Sequence, residues 1–344
     1  MKKRIALLGF LFLVLFAGIV SGCGRKSSMV VPENSIPFIT LINSGSGTRA
    51  MLNFWNVKNG KITKTEILVY KTNNQFVDPI CWDGESCMVL PSGVVLPDKS
   101  LYKEAETINI PGEPGIHGLI GKDYEIIKDT TDNGGYIVKK HNGETNSYLD
   151  VCSIDTSSLP VGMTEDSKNL YVLFCGKYDF QKKRIDLQLA TVDLSSGKIN
   201  WSPVDISKDV ILPPGPLTYD TVPVGEYFYA PGCCGYLAKI DAKEKSCKKW
   251  ELNIPENLKS KETAYKYSIS GSFKNTFIIV KASTNEAPAY DYSVFVFDRN
   301  GKFISAMKVS KDSLEVVDEK GNVLSKTTFT GMGRIVFPRP DGVF

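Results

Sequence analysis

Cysteine is the residue type with the most chemistry to offer in this chain. There are eight cysteines among 344 residues, against only two histidines. So few histidines leave little for a histidine-based metal centre or acid–base pair. Cys23 follows small residues at the end of an apolar N-terminal run. Cys81 and Cys87 bracket Trp82-Asp83-Gly84-Glu85-Ser86, a hairpin turn that sets the two thiols almost opposite each other. A disulfide is expected there, closing a small loop and adding about 2–3 kcal/mol. Cys152 precedes a strand expected to be innermost in its unit, and Cys175 ends the strand after it. These two are expected on one face as a second bridge. Cys233-Cys234 sit in the turn Pro231-Gly232-Cys233-Cys234-Gly235, and Cys247 lies mid-strand in the next hairpin, opposite Lys239 or Ala238. Those three lack the Cys-x-x-Cys spacing and histidine partners that zinc usually takes, and their pairing stays open. Without Cys23 the count is seven, so at least one thiol is free or pairs between chains.

Other candidate chemistry is thin. Asp129-Thr130-Thr131-Asp132-Asn133-Gly134 resembles a calcium loop, but its twelfth position is Lys140 where a bidentate Glu is required. A Gly-rich turn is the simpler reading. His117 and His141 have no evident nucleophile or carboxylate partner in sequence. The chain has no Gly-x-Ser-x-Gly elbow, P-loop or dinucleotide fingerprint. No catalytic residue, metal or cofactor is expected. Tyr219, Tyr227, Tyr229, Tyr265, Tyr267, Tyr290 and Tyr292 concentrate late in the chain. Those outside the packed positions of strands could line a sugar- or peptide-binding face.

The N-terminus sets the compartment. Met1-Lys2-Lys3-Arg4 is positively charged, Ile5 to Val20 is unbroken apolar sequence, and Ser21-Gly22-Cys23 follows. That is the form of a secretory signal peptide. The apolar run of about 16 residues is short for a bilayer span of roughly 20. Val20-Ser21-Gly22-Cys23 resembles the lipobox of bacterial lipoproteins, and the resemblance implies cleavage before Cys23 and acylation of its thiol. Residues 1–22 are then a signal peptide, 23–36 a lipidated start and short tether, and 37–344 the folded domain. The expected location is the outer face of a bacterial cell membrane, or the outer membrane where the cell has one. Export also places the remaining cysteines where disulfides form. Net charge is only +3, without a long run of one sign, so nucleic acid is not an expected partner.

From Pro37 onward, short runs of Val, Ile, Tyr, Phe and Thr alternate with Gly, Asn, Asp, Ser and Pro clusters. Examples are Phe38-Ile39-Thr40-Leu41-Ile42 and Leu170-Tyr171-Val172-Leu173-Phe174. The pattern predicts an all-β chain. One hairpin recurs: Thr191-Val192-Asp193-Leu194-Ser195-Ser196-Gly197-Lys198-Ile199-Asn200-Trp201. Copies stand at Asn56 to Ile62, Asp298 to Phe303 and Asp318 to Val323, with looser ones at His141, at Asp241 (leading to Trp250) and at Asp98. Most are spaced roughly 40–55 residues apart, the period of a four-stranded propeller blade. The last two are closer, so the Val317–Val323 hairpin is expected to belong to a blade completed by N-terminal strands.

The stretch Thr191 to Trp201 resembles the repeat of quinoprotein-type (PQQ-like) β-propellers. The hairpin spacing gives six or seven four-stranded blades, and the resemblance implies a β-propeller with Asp and Gly shaping each turn and the Trp packed between neighbouring blades. The repeat is shared by dehydrogenases and by non-catalytic lipoprotein scaffolds, so it speaks for fold over function. In some of those dehydrogenases a vicinal disulfide lies against the cofactor, which gives Cys233-Cys234 a second reading. The expectation for the whole chain is a membrane-anchored lipoprotein that binds envelope proteins or an extracellular ligand. The alternative is an envelope enzyme, glycan-active or dehydrogenase-like, with its site in the propeller channel.

Overall fold

The computed structural model describes residues 31–44, 47–72, 81–82, 88–90, 93–95, 103–104 and most of 118–343. Breaks within the last stretch fall at 122, 130–133, 143–146, 180–183, 214–220, 233–235, 260–264, 275, 285–290 and 340. The described chain is all-β, with a single-turn 3-10 helix at Glu256–Leu258. Its strands form six sheets of four to six strands. Pairing is antiparallel between sequence neighbours, as short polar turns dictate, with one parallel pair noted below.

The first sheet holds β1 (Ser35–Ser44), β2 (Gly47–Asn56) and β3 (Ile62–Thr72), and is completed on its other side by β27 (Met332–Val336). The second holds β4 (Cys81–Trp82), β5 (Met88–Leu90), β6 (Gly93–Val95) and β7 (Lys103–Glu104). The third runs β8 (Gly118–Gly121), β9 (Tyr124–Lys128), β10 (Tyr136–Asn142) and β11 (Ser147–Ile154), with β28 (Asp341–Val343) beside β8. The fourth is β12 (Leu159–Glu165), β13 (Asn169–Asp179), β14 (Arg184–Asp193) and β15 (Ile199–Pro203).

The fifth sheet is β17 (Val222–Val224), β18 (Tyr227–Pro231), β19 (Leu237–Asp241) and β20 (Ser246–Trp250), edged by β16 (Asp205–Ile206) running parallel to β20. The sixth is a six-stranded meander: β21 (Tyr265–Phe273), β22 (Phe277–Thr284), β23 (Tyr292–Asp298), β24 (Phe303–Val309), β25 (Ser313–Val317) and β26 (Val323–Thr328). The Val317–Val323 hairpin therefore extends the sixth sheet and does not join the N-terminal strands. The strand that does is β27, which pairs Thr40 with Ile335.

Four apolar clusters lie between sheets. One joins third and fourth (Ile126, Val138, Val172, Phe174), and a second joins fourth and fifth (Leu173, Leu187, Phe228, Ile240). A third joins fifth and sixth (Tyr229, Leu237, Ile278, Phe295). The fourth packs the sixth sheet on the first, with Phe38, Trp55 and Ile62 against Val296, Met307 and Val316. Alternation along each strand explains this: in β13, even positions feed the third-sheet side and odd positions the fifth-sheet side. The first strands of successive sheets also lie side by side, β8 by β12, β12 by β17 and β17 by β21.

The recurrent hairpin is a carboxylate- or amide-capped turn. Asp193 Oδ1 accepts from the backbone N–H of Ser195 (3.0 Å) and Ser196 (2.8 Å), and from both serine hydroxyls (2.6 and 2.9 Å). Gly197 closes the turn at φ +68°. Asn56, Asp241, Asp298 and Asp318 accept from backbone amides two to four residues on in the same manner. This is the Asx geometry that makes Asp and Asn turn formers. The turn glycines also dock on the sheet before them. A Cβ on Gly301 would stand 2.8 Å from Nε1 of Trp250, and one on Gly197 3.0 Å from the carbonyl of Val151. A Cβ on Gly60 would stand 2.7 Å from Leu324 of the sixth sheet.

Candidate functional site

Of the cysteine side chains, the structure describes Cys152, Cys175 and Cys247. Cys23 and Cys87 lie outside the described residues, as do Cys233 and Cys234; Cys81 lies in β4, its side chain not described. The expected Cys152–Cys175 bridge is not formed. Cys152 is a free thiol in β11, packed against the cluster between third and fourth sheets. Cys175 points to the other side, into the cluster between fourth and fifth, and its Sγ donates to the carbonyl of Gly176 at 3.5 Å. The fourth sheet stands between them. Cys247 is a buried free thiol opposite Ile240, one position from the expected register. Burial pushes it up to about 12, with Asp209 adding to the rise. It is therefore a protonated core residue at neutral pH, poor as a nucleophile.

The other candidates resolve similarly. His117 and residues 130–133 lie outside the described residues, and His141 lies in β10 opposite Tyr148. Of the late tyrosines, Tyr229 is fully buried between fifth and sixth sheets, and Tyr227 and Tyr267 pack on that cluster. Tyr292 packs on the cluster between first and sixth. They serve sheet packing and do not line a common face; Tyr219 and Tyr290 fall outside the described residues, as does the side chain of Tyr265.

The two repeat tryptophans part company. Trp250 packs edge-on to Tyr229 (4.9 Å) and to Phe297 of the sixth sheet (5.8 Å), and so does sit between sheets. Trp201 stacks on Phe174 of its own sheet at 5.3 Å, faces the third sheet and is 41% exposed. The expectation that Trp201 fills an interface is corrected by one residue of spacing. Trp201 lies eight positions after Asp193 and Trp250 nine after Asp241, and strand side chains alternate with a period of two.

Two charged groupings were not anticipated. On the fifth sheet, the Lys239 ammonium lies 3.7 Å from the ring centre of Tyr227 and 6.0 Å from that of Tyr229. Burial lowers the Lys239 pKa, opposed by Asp241 and Glu226 and reinforced by Arg299. The buried Tyr229 hydroxyl has no hydrogen-bond partner, and burial raises its pKa. The cradle of tyrosines that could hold a ligand's cation is filled by the protein's own lysine. On the third sheet, Glu125, Lys139 and Asp150 occupy paired positions across β9, β10 and β11. Burial raises the Glu125 carboxyl, against the pull of Lys139, and Lys139 lies 4.0 Å from Asp150. Neither grouping was legible in sequence, because each assembles from residues on separate strands.

Some apolar side chains also reach the surface. Among the described residues, seven large hydrophobic side chains are exposed, and four of them (Tyr148, Leu149, Leu159 and Trp201) belong to the third and fourth sheets. Tyr148 and Leu149 are on β11 and Trp201 on β15, edge strands of those sheets. Leu149 is the most exposed at 60%, and its neighbour Asp150 belongs to the charged row. Exposed apolar side chains of this size are a feature of protein-contact surfaces.

No protein-family model matches the chain, and no curated protein matches it. Among solved structures it is similar to a computationally designed protein, Ika8, at 12% identity and a TM-score of 0.39, over 92% of this chain and 99% of that one. It is also similar to BamB from Moraxella catarrhalis, at 13% identity and a TM-score of 0.35, over 85% of each chain.

Proposed function

We propose that this chain is an exported lipoprotein, anchored through acylated Cys23, whose six sheets are the blades of a β-propeller that binds protein partners at the cell envelope. The observation that carries the reading is the packing of the sixth sheet on the first. Third, fourth, fifth and sixth sheets pack in series and the sixth packs on the first; with the second sheet taking the place its chain order gives it, the six make a ring with first strands inside and last strands outside. β27 closes that ring by pairing C-terminal residues with N-terminal ones. Closure hides edges an open array would leave exposed. A rigid ring with broad outer strands suits binding, and Tyr148, Leu149 and Trp201 supply apolar surface on adjacent blades.

The test is mild cross-linking and capture from membranes of the lipidated protein and of a Leu149→Ala/Trp201→Ala variant. The expected result is a reproducible protein partner with the parent and its loss with the variant, which still unfolds cooperatively and melts within a few degrees of the parent. Recovery of no reproducible partner would contradict the reading and favour a small ligand or catalysis. Mass spectrometry of the mature N-terminus tests the anchor, with an unmodified Cys23 or an intact Met1 as the contrary result.

A further inference from the structure

The last residues of the chain take an unusual path. Leaving β27 in the first sheet, Phe337 is buried against Phe38 at 5.8 Å between ring centres. The carbonyl of Pro338 then accepts from the backbone N–H of Ser272 in β21 of the sixth sheet, at 2.8 Å. The approach is so close that a Cβ on Gly271 would stand 2.2 Å from that oxygen. Arg339 donates from Nη2 to the carbonyl of Thr221, one residue before β17 of the fifth sheet, at 2.8 Å. β28 next pairs with β8 of the third sheet, placing Asp341 opposite Gly121, Gly342 opposite Ile120 and Val343 opposite Leu119. β28 also lies beside β4 of the second sheet and β12 of the fourth.

Residues 337–339 and 341–343 thus meet all six sheets. A fully extended chain of that length spans at most about 25 Å. Only a path across the centre, where the first strands gather, brings six sheets within such a reach. We propose that residues 338, 339 and 341–343 form a strap that fills the middle of the ring, and that β8 beneath it is a strand-accepting edge able to take an extended peptide when the strap is absent. The proposal rests on the ring arrangement proposed above. It gives the central opening an occupant made of the chain's own backbone, and gives the ring a second lock besides the β1–β27 pairing. Recognition at β8 is by main-chain hydrogen bonds, as in other cases of strand addition.

The test compares the intact protein with a chain ending at Phe337, using as probe the synthetic peptide Pro-Arg-Pro-Asp-Gly-Val-Phe, which is residues 338–344. The shortened chain is expected to melt at a lower temperature, to bind the peptide saturably and to regain melting temperature with it. The intact chain and a scrambled peptide are expected to show no binding. Equal binding to both chains, or to neither, would overturn the proposal. Should the shortened chain fail to fold, hydrogen exchange on the intact protein decides. Amides of 118–121 and 341–343 are expected to exchange at least tenfold more slowly than an unstructured peptide. Fast exchange there with β1 and β27 still protected would overturn the strap alone. Fast exchange in all four segments would overturn the ring reading and the strap with it.

Discussion

At the scale of single residues, the chemistry of this chain is spent on turns. The four hydrogen bonds converging on Asp193 Oδ1 hold its carboxyl at about 2, below the ordinary 3.8. The Ser195 and Ser196 hydroxyls contribute most, then the backbone amides. A carboxyl depressed on folding stabilises the native state above its unfolded pKa, and the contribution is lost as pH falls through the folded value. The window for Asp193 is therefore from about 4 down to about 2. Asn56 shows that an uncharged amide caps the same turn. Asp193→Asn is accordingly expected to keep stability near pH 7 and to flatten its decline between pH 4 and 2, measured by urea unfolding across pH. An unchanged slope would show that Asp193 is not the group responsible. These turns were legible in sequence because Asp, Gly and their spacing act locally. The Asp166 turn, where Oδ1 accepts from Lys168 and Asn169 and Oδ2 from the Tyr171 hydroxyl, was not, since no glycine marks it.

At the scale of strands, one residue of offset decides which sheet a side chain serves. Trp250 is held among Tyr229, Phe297 and the Gly301 turn, whereas Trp201 leans on Phe174 with 41% of its surface in water. Truncating a packed tryptophan costs about 3 kcal/mol, and an exposed one typically under about 1 kcal/mol. Trp250→Ala is expected to fall near the first figure and Trp201→Ala near the second, in urea unfolding of each variant. Equal losses would contradict the assignment of faces. Sequence spacing carried this distinction, but only once the turn register was known: Asp193 closes on Lys198, and Asp241 pairs with Ser246. The same dependence on register separates Cys152 from Cys175. Their positions in the chain suggested a shared face, and the intervening sheet removed it.

At the scale of the whole molecule, the all-β class, the hairpin repeat and a sheet shared by N- and C-terminal strands were readable, whereas the strand that completes that sheet was not. The Val317–Val323 hairpin stayed with its sequence neighbours in the sixth sheet, and β27, which has no repeat signature, reached the N-terminus. Pairings between residues some 300 positions apart leave no local signal, because they depend on where every preceding sheet has packed. Exposed apolar surface was equally hidden: Leu149 read as an ordinary strand residue and Trp201 as a packed one until β11 and β15 were placed at the edges of their sheets. The central claim is that the sixth sheet returns to the first. The Lys64 ammonium on β3 donates to the carbonyl of Thr328 at the end of β26, two residues from the exposed Lys326. A short amine-reactive cross-linker applied to the native protein, followed by peptide mass spectrometry, tests the claim without any substitution. A Lys64–Lys326 cross-link within one chain is the expected result. Cross-links from Lys64 confined to lysines near it in sequence, with none to Lys326, would contradict the closed arrangement.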